Sequence, residues 1–172
     1  MSRVYIIGFM GVGKSTVGKK LASKLGYEFL DTDKVFETKY KLGINDFFLK
    51  YGEELFRKLE FDVLKSTFDK DNCIISTGGG LPCHNNAISE INKNGISVFL
   101  EMDEKAIHSR LVSSKQKRPL LQTFNEDELL EYIHQKLDER KKHYEKANIK
   151  VPALSIDIED IIQMISDYQT NI

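Results

Sequence analysis

The 172-residue sequence contains no apolar run near the roughly 20 residues that a helix needs to cross a bilayer, and its N-terminus lacks the extended apolar stretch of a secretory signal. The expectation is a cytoplasmic protein without a membrane partner. Cysteine is scarce. Cys73 and Cys83 are the only two, and a pair in a chain without a secretory signal reads as separate reduced thiols, not as a disulfide framework. The four histidines, at 84, 108, 134 and 143, fall at no metal-ligand spacing. Excess charge of one sign is also missing: a net charge of −1 supplies no global positive field for nucleic acid. A charged share of 30% beside a hydrophobic share of 41% is not the composition of a disordered chain. What is left is a chain long enough to bury a core without disulfides or structural metal, with a single domain over 1–172 as the working expectation.

One dense motif stands against those absences. Residues 8 to 16 read GFMGVGKST: Gly8, four variable residues, then Gly13, Lys14 and Ser15, which is the full spacing of a phosphate-binding P-loop. Glycines let the backbone turn with positive φ and approach an anion, so that successive N–H groups point inward. The helix that follows adds the bare N–H groups and positive dipole end of its first turn. Lys14 is placed to reach the β and γ phosphates, and Ser15 to offer its hydroxyl to Mg2+. Val4-Tyr5-Ile6-Ile7 before the motif suits a buried parallel strand. Val17, Leu21, Ala22 and Leu25 after it recur at helical spacing.

Further along, a short strand over Tyr27 to Leu30 runs into Asp31-Thr32-Asp33. Carboxylates at the C-terminal end of a parallel strand sit where ligands bind. Two of them spaced by two on extended backbone point the same way and call for a cation or a substrate hydroxyl between them; alternatively Asp31 or Thr32 only caps a helix opening at Lys34. The span 44–68 is helical in pattern with a break near Gly52, and it carries Glu53, Phe56, Arg57 and Glu60. Arg57 shares a helical register with Phe61, Leu64 and Phe68, so its guanidinium emerges from an apolar stripe and needs an anion, with Glu60 or a substrate carboxylate as candidates; the plainer alternative is a surface pair with Glu60. A strand over 72–77 ends in Gly78-Gly79-Gly80, either a simple loop or a place where a ligand approaches bare backbone. Further elements follow: a helix from Asn85 or Asn86 to about Asn94, a strand over Ile96 to Leu100, and a helix capped by Asp103.

Residues 113 to 123, SSKQKRPLLQT, are polar, basic and broken by Pro119. They read as an exposed mobile lid that brings Arg118 to a transferring phosphate, or as a solvated loop with no role. From Glu126 an amphipathic helix runs through Leu130, Ile133, Leu137 and Tyr144, and its period puts Arg140 where an apolar residue belongs. Arg140 either snorkels to a nearby surface or, with Arg57, forms a binary site for a carboxylate or phosphate. A last strand over Ile149 to Val151 and a helix from Ile158, capped by Asp157, close the chain.

Taken together, these residues resemble the shikimate kinases along almost the whole chain. The matching elements are GFMGVGKSTVG at 8–18, DTD at 31–33, E-x-x-F-R-x-x-E at 53–60, the glycine triplet 78–80, RPLL at 118–121, and Arg140 followed by Tyr144. The resemblance implies a three-layer α/β P-loop kinase fold around a five-stranded parallel sheet, similar to nucleoside monophosphate kinases. It also implies transfer of the ATP γ-phosphate to the 3-hydroxyl of shikimate, on the way to chorismate and the aromatic amino acids. Carried over by position, Gly11, Val12, Gly13, Lys14, Ser15 and Thr16 would hold the ATP phosphates, Ser15 and Asp31 the Mg2+, and Asp33 the shikimate hydroxyls and the attacking oxygen. Arg57 and Arg140 would grip the carboxylate, Gly79 and Gly80 would add backbone N–H groups, and Lys14 and Arg118 would neutralise the phosphoryl group in flight. The helical segment 32–61 would be the substrate-binding part, 113–124 the lid, and the protein a monomer. Arg110 lies one residue farther from RPLL than the adenine-covering arginine of relatives, which leaves base recognition open. The rivals are another small P-loop kinase, of gluconate or nucleoside monophosphate type, and a nucleotide-binding switch without turnover.

Overall fold

A computed structural model describes residues 3–114 and 124–171. Its centre is a five-stranded sheet of β1 (Arg3–Ile7), β2 (Glu28–Asp31), β3 (Cys73–Ser76), β4 (Ile96–Glu101) and β5 (Ile149–Pro152), in the order β2-β3-β1-β4-β5. Every pairing is parallel, and β1 in the middle sets Val4 against Ile74 and Ile96, and Tyr5 against Ile75 and Ser97. A strand covered on both faces must be apolar on both, and Val4, Tyr5, Ile6 and Ile7 are all fully buried. The Tyr5 hydroxyl, which needs a partner at that depth, meets the Thr67 hydroxyl at 3.0 Å.

The helices among the described residues are α1 (Lys14–Leu25), α2 (Thr32–Tyr40), α3 (Ile44–Tyr51), α4 (Glu53–Lys65), α5 (Ala87–Asn94), α6 (Glu104–Ser113), α7 (Glu126–Tyr144) and α8 (Ile158–Thr170), with one 3-10 turn at Leu81–Cys83. Most of them close over the sheet, whose core holds Leu21, Leu64, Ile74, Ile75, Ile88 and Ile133. A second apolar cluster lies apart from it: Phe36 of α2, Phe47 of α3, and Phe56 and Val63 of α4. The Phe36 ring stands 5.1 Å from Phe47 and 4.9 Å from Phe56, an aromatic knot that ties the three helices to one another.

Several boundaries differ from the sequence expectation. β2 stops at Asp31, and α2 opens at Thr32, not at Lys34. The Asp31 carboxylate accepts N–H bonds from Asp33 and Lys34 and turns the chain into the helix, so Asp31 and Asp33 do not share one extended run. In α4 the expected stripe through Phe61, Leu64 and Phe68 does pack on the sheet core, with Leu64 fully buried, but the helix buries a second face as well, Phe56 and Val63 in the aromatic cluster and Glu60 near them in the chain. In α7 Leu129, not Leu130, is buried, together with Ile133 and Tyr144. Asp103, Asp157 and the break at Gly52 stand where the sequence puts them.

Candidate active site

In a parallel sheet all strand ends of one kind lie on one edge, and here the carboxyl ends of β2, β3 and β1 are neighbours. β1 feeds the P-loop, β3 the glycine triplet, and β2 ends at Asp31. Gly11 and Gly13 have φ of 83° and 99°, values that a side chain would resist. Gly13 also caps α1 without any side-chain hydrogen bond, which leaves first-turn N–H groups, those of Ser15 and Thr16 among them, for an anion. Lys14 folds back over its own loop and donates to the carbonyls of Gly8 at 3.0 Å and Phe9 at 2.8 Å. Ser15 donates from Oγ to Asp31 Oδ2 at 2.6 Å, with Ser76 Oγ 3.4 Å away. The Val12 carbonyl accepts from Arg110 Nη1 at 3.0 Å, and Arg110 Nη2 reaches the Ala153 carbonyl at 3.5 Å. Arg110 therefore spans the P-loop and the loop after β5, a placement that the sequence left open.

A cleft of about 990 Å³ opens beside this loop and is lined by Ser15, Asp31, Asp33, Arg57, Gly79, Gly80 and Arg140, among others. Nearly all the side chains expected of a second-substrate site are thus brought together. The glycines earn their place by close approach. A methyl group on Gly78 would lie 2.6 Å from Asp33 Oδ1 and 2.9 Å from Glu60 Oε1, and one on Gly80 would lie 2.8 and 2.9 Å from the two terminal nitrogens of Arg57. Arg57 itself is gripped from one side by Glu53, 3.1 Å from Nε, and from another by Glu60, 2.7 Å from Nη1. Its side chain is 15% exposed, whereas that of Glu60 is only 6% exposed, so the surface-pair alternative fails. Arg140 packs its guanidinium 5.3 Å from the Phe9 ring centre. One turn on, the buried Tyr144 stacks on Phe99 and donates its hydroxyl to the Gly79 carbonyl at 2.6 Å, which ties α7 to the triplet.

Burial pushes the Glu60 carboxyl up to about 7, against the pull of Arg57 and with a further push from Asp33. Cys83, at the same end of the cleft, is pushed up to about 11 by burial and is a thiol at neutral pH. Glu60 is the functional side chain that the sequence undersold: the E-x-x-F-R-x-x-E pattern shows it, but only its burial separates it from a surface partner. Arg118 and most of the lid expected over 113–124 lie outside the described residues.

The family model described as "SKI: Shikimate kinase" matches residues 10–168. The chain belongs to the shikimate kinase family. A shikimate kinase of Bacteroides fragilis is 40% identical over 148 residues, 86% of this chain and 83% of that one. The crystal structure of shikimate kinase from Bacteroides thetaiotaomicron superposes with a TM-score of 0.88 at 35% identity, covering 98% of this chain and 97% of that one. The shikimate kinase of Acinetobacter baumannii, solved in complex with shikimate, gives a TM-score of 0.83 at 31% identity over 99% of this chain and 94% of its own. A gluconokinase from Sinorhizobium meliloti, at 14% identity and a TM-score of 0.55 over 98% of this chain and 92% of that one, shares the P-loop kinase fold alone. Among the described residues no helix is long and apolar enough to cross a membrane.

Proposed function

We propose that this protein transfers the γ-phosphate of ATP to the 3-hydroxyl of shikimate, giving shikimate 3-phosphate and ADP. One observation carries the proposal: a single cleft holds the P-loop serine at one place, two arginines fit for an acid at another, and Asp33 with them. Family membership supplies the identity of the acid. The backbone N–H groups of residues 11 to 16 cradle the triphosphate, and Lys14 turns from the carbonyls of Gly8 and Phe9 to the β and γ oxygens. Arg57 and Arg140 hold the planar carboxylate, which suits the guanidinium fork, and the backbone of Gly79 and Gly80 supports the ring. Asp33 accepts the proton of the attacking hydroxyl; in a loose, metaphosphate-like transition state its chief work is alignment. Arg118, carried over by position alone, joins Lys14 in neutralising the phosphoryl group. Arg110, fixed between the Val12 and Ala153 carbonyls, is the guanidinium we assign to the base.

Ser15 and Asp31 are the residues we assign to Mg2+. Their oxygens, a hydroxyl and a carboxylate, already lie 2.6 Å apart. That sparse oxygen set fits a cation that takes its other ligands from phosphates and water. Held by Ser15 and Asp31, the ion would supply positive charge that offsets the negative charge of the triphosphate. The protein is further proposed to act as a cytoplasmic, single-domain monomer.

The test is ADP release in a coupled assay with ATP, Mg2+ and either shikimate, gluconate or nucleoside monophosphates. Turnover with shikimate is expected; turnover with one of the others alone overturns the proposal. Tight ATP binding with transfer to no alcohol would favour the nucleotide-binding switch.

A further inference from the structure

His84 is a cleft-lining residue to which nothing above gives a role. It follows the 3-10 turn at Leu81–Cys83, where its backbone N–H reaches the Leu81 carbonyl and its own carbonyl accepts from Ala87. The two residues after it, Asn85 and Asn86, both have left-handed backbone, with φ of 51° and 55°, a conformation that asparagine tolerates better than most. Side chains hold that turn in place. Asn85 donates from Nδ2 to the Arg57 carbonyl at 3.1 Å, and Asn86 Oδ1 accepts from Ser89 at 2.8 Å. The loop is thus pinned to α4 at the very residue whose guanidinium faces Gly80.

The imidazole so presented is half-buried, and among the described residues no hydrogen bond or ion pair occupies either ring nitrogen. The charged groups acting on it are Arg57 and Glu53 from α4 and Arg140 and His143 from α7. Both arginines assigned to the acid are therefore its neighbours. Half-buried on the wall of the cleft, the ring keeps both nitrogens for whatever polar group the cleft holds.

Building on the shikimate kinase reading, we propose that His84 is a substrate contact, whose ring N–H donates to the acid group held by Arg57 and Arg140 and so helps to select an acid at that end of the cleft. Burial, then Arg57, holds the imidazole below its ordinary value against the pull of Glu53, with Arg140 and His143 adding to the depression. It is neutral at pH 7, with one donor and one acceptor nitrogen. An arriving anion favours the imidazolium, so acid binding strengthens as pH falls through the imidazole range. Glu60 titrates nearby and changes affinity in the same direction, because its protonation removes a negative charge beside Arg57.

The experiment measures kcat and the KM values for shikimate and ATP in wild type, His84→Ala and His84→Gln between about pH 5.5 and 8, the range over which imidazole titrates. His84→Ala is expected to raise the shikimate KM about 3- to 10-fold at neutral pH, the size of one hydrogen bond, and far more than it changes kcat or the KM for ATP. His84→Gln, which keeps an N–H donor, should recover most of that loss at neutral pH. It should show a smaller fall in shikimate KM on acidification than wild type, leaving only the part due to Glu60. An unchanged shikimate KM in His84→Ala overturns the proposal, as does an equal rise in both KM values, which would mark a distorted loop. A wild-type protein that phosphorylates no shikimate overturns the underlying function instead.

Discussion

The Gly80→Ala substitution tests the acid site without removing any charged group. Gly80 has φ −86° and ψ −19°, ordinary helical values, so alanine adopts them without strain and the fold should survive. The new methyl, however, would lie 2.8 Å from Arg57 Nη1, 2.9 Å from Nη2 and 3.1 Å from Cζ, whereas ordinary contact begins at 3.4 Å. The guanidinium must retreat by more than half an ångström. It cannot do so freely, because Glu53 and Glu60 hold its Nε and Nη1. The methyl also stands where the terminal nitrogens would meet a carboxylate. Loss of one charged hydrogen bond costs about 1.5–3 kcal/mol, so the shikimate KM should rise about 10- to 150-fold. The KM for ATP should hold. Gly78→Ala is the paired control, since its methyl would press 2.6 Å from Asp33 Oδ1 and should fall mainly on kcat. Coupled steady-state kinetics on both variants reads the difference. A shikimate KM in Gly80→Ala equal to wild type, or the same parameter damaged in both, would refute the assignment of Arg57 to the acid and Asp33 to the hydroxyl.

Asp33→Asn should lower kcat far more than it moves the KM for ATP; unchanged turnover in the coupled assay would remove Asp33 from the reaction. Arg140→Ala should raise the shikimate KM by the same order as loss of one charged hydrogen bond, about 10- to 150-fold, and an effect confined to ATP would place Arg140 elsewhere. Glu60 predicts a pH dependence of stability. Its carboxyl binds a proton more tightly in the folded chain, about 7 against 4.5. Its contribution is therefore complete below 4.5 and lost as pH rises through 7. The loss is on the order of a few kcal/mol, at roughly 1.4 kcal/mol per pKa unit. Urea denaturation of wild type and Glu60→Gln across that window should show their stability difference shifting in favour of the variant as pH rises; a constant difference would contradict the buried carboxyl.

Motifs whose chemistry is local were legible from the sequence. The P-loop is so because its positions act through backbone φ and the first turn of the next helix. Arg140 is visible because it interrupts an apolar period, and Asp103 and Asp157 because capping is a matter of a few residues. The misses have one physical origin. Where apolar residues sit side by side, as Leu129 and Leu130 do, a period of 3.6 cannot decide which is buried, and the packing of α6 on α7 decides instead. In α4 the stripe of Phe61, Leu64 and Phe68 meets the sheet core as read, but the second buried face, Phe56 and Val63 against α2 and α3, is set by tertiary packing, as is the burial of Glu60. The groups that approach Gly78 and Gly80 come from α2 and α4, distant in sequence, so no local pattern could name them.

The Glu60 carboxylate is buried at a cost, because desolvation disfavours its charged form. An ion pair as deep as Arg57 and Glu60 adds little net stability, since desolvation offsets the attraction; its effect here is geometric. A guanidinium carries five N–H groups. Glu53 accepts from Nε and Glu60 from Nη1, which leaves one N–H on Nη1 and two on Nη2, a fork suited to a planar acid. Holding that fork before the substrate arrives saves the side-chain entropy that a free arginine would lose on binding. The stabilisation that permits it comes from rings, not charges. Phe36, Phe47 and Phe56 are each at most 4% exposed, and burying each contributes about 1.5–3 kcal/mol. They fix α2 against α4, and with them Asp33 against Arg57, so the geometry of the cleft depends on an aromatic cluster separate from the sheet's core.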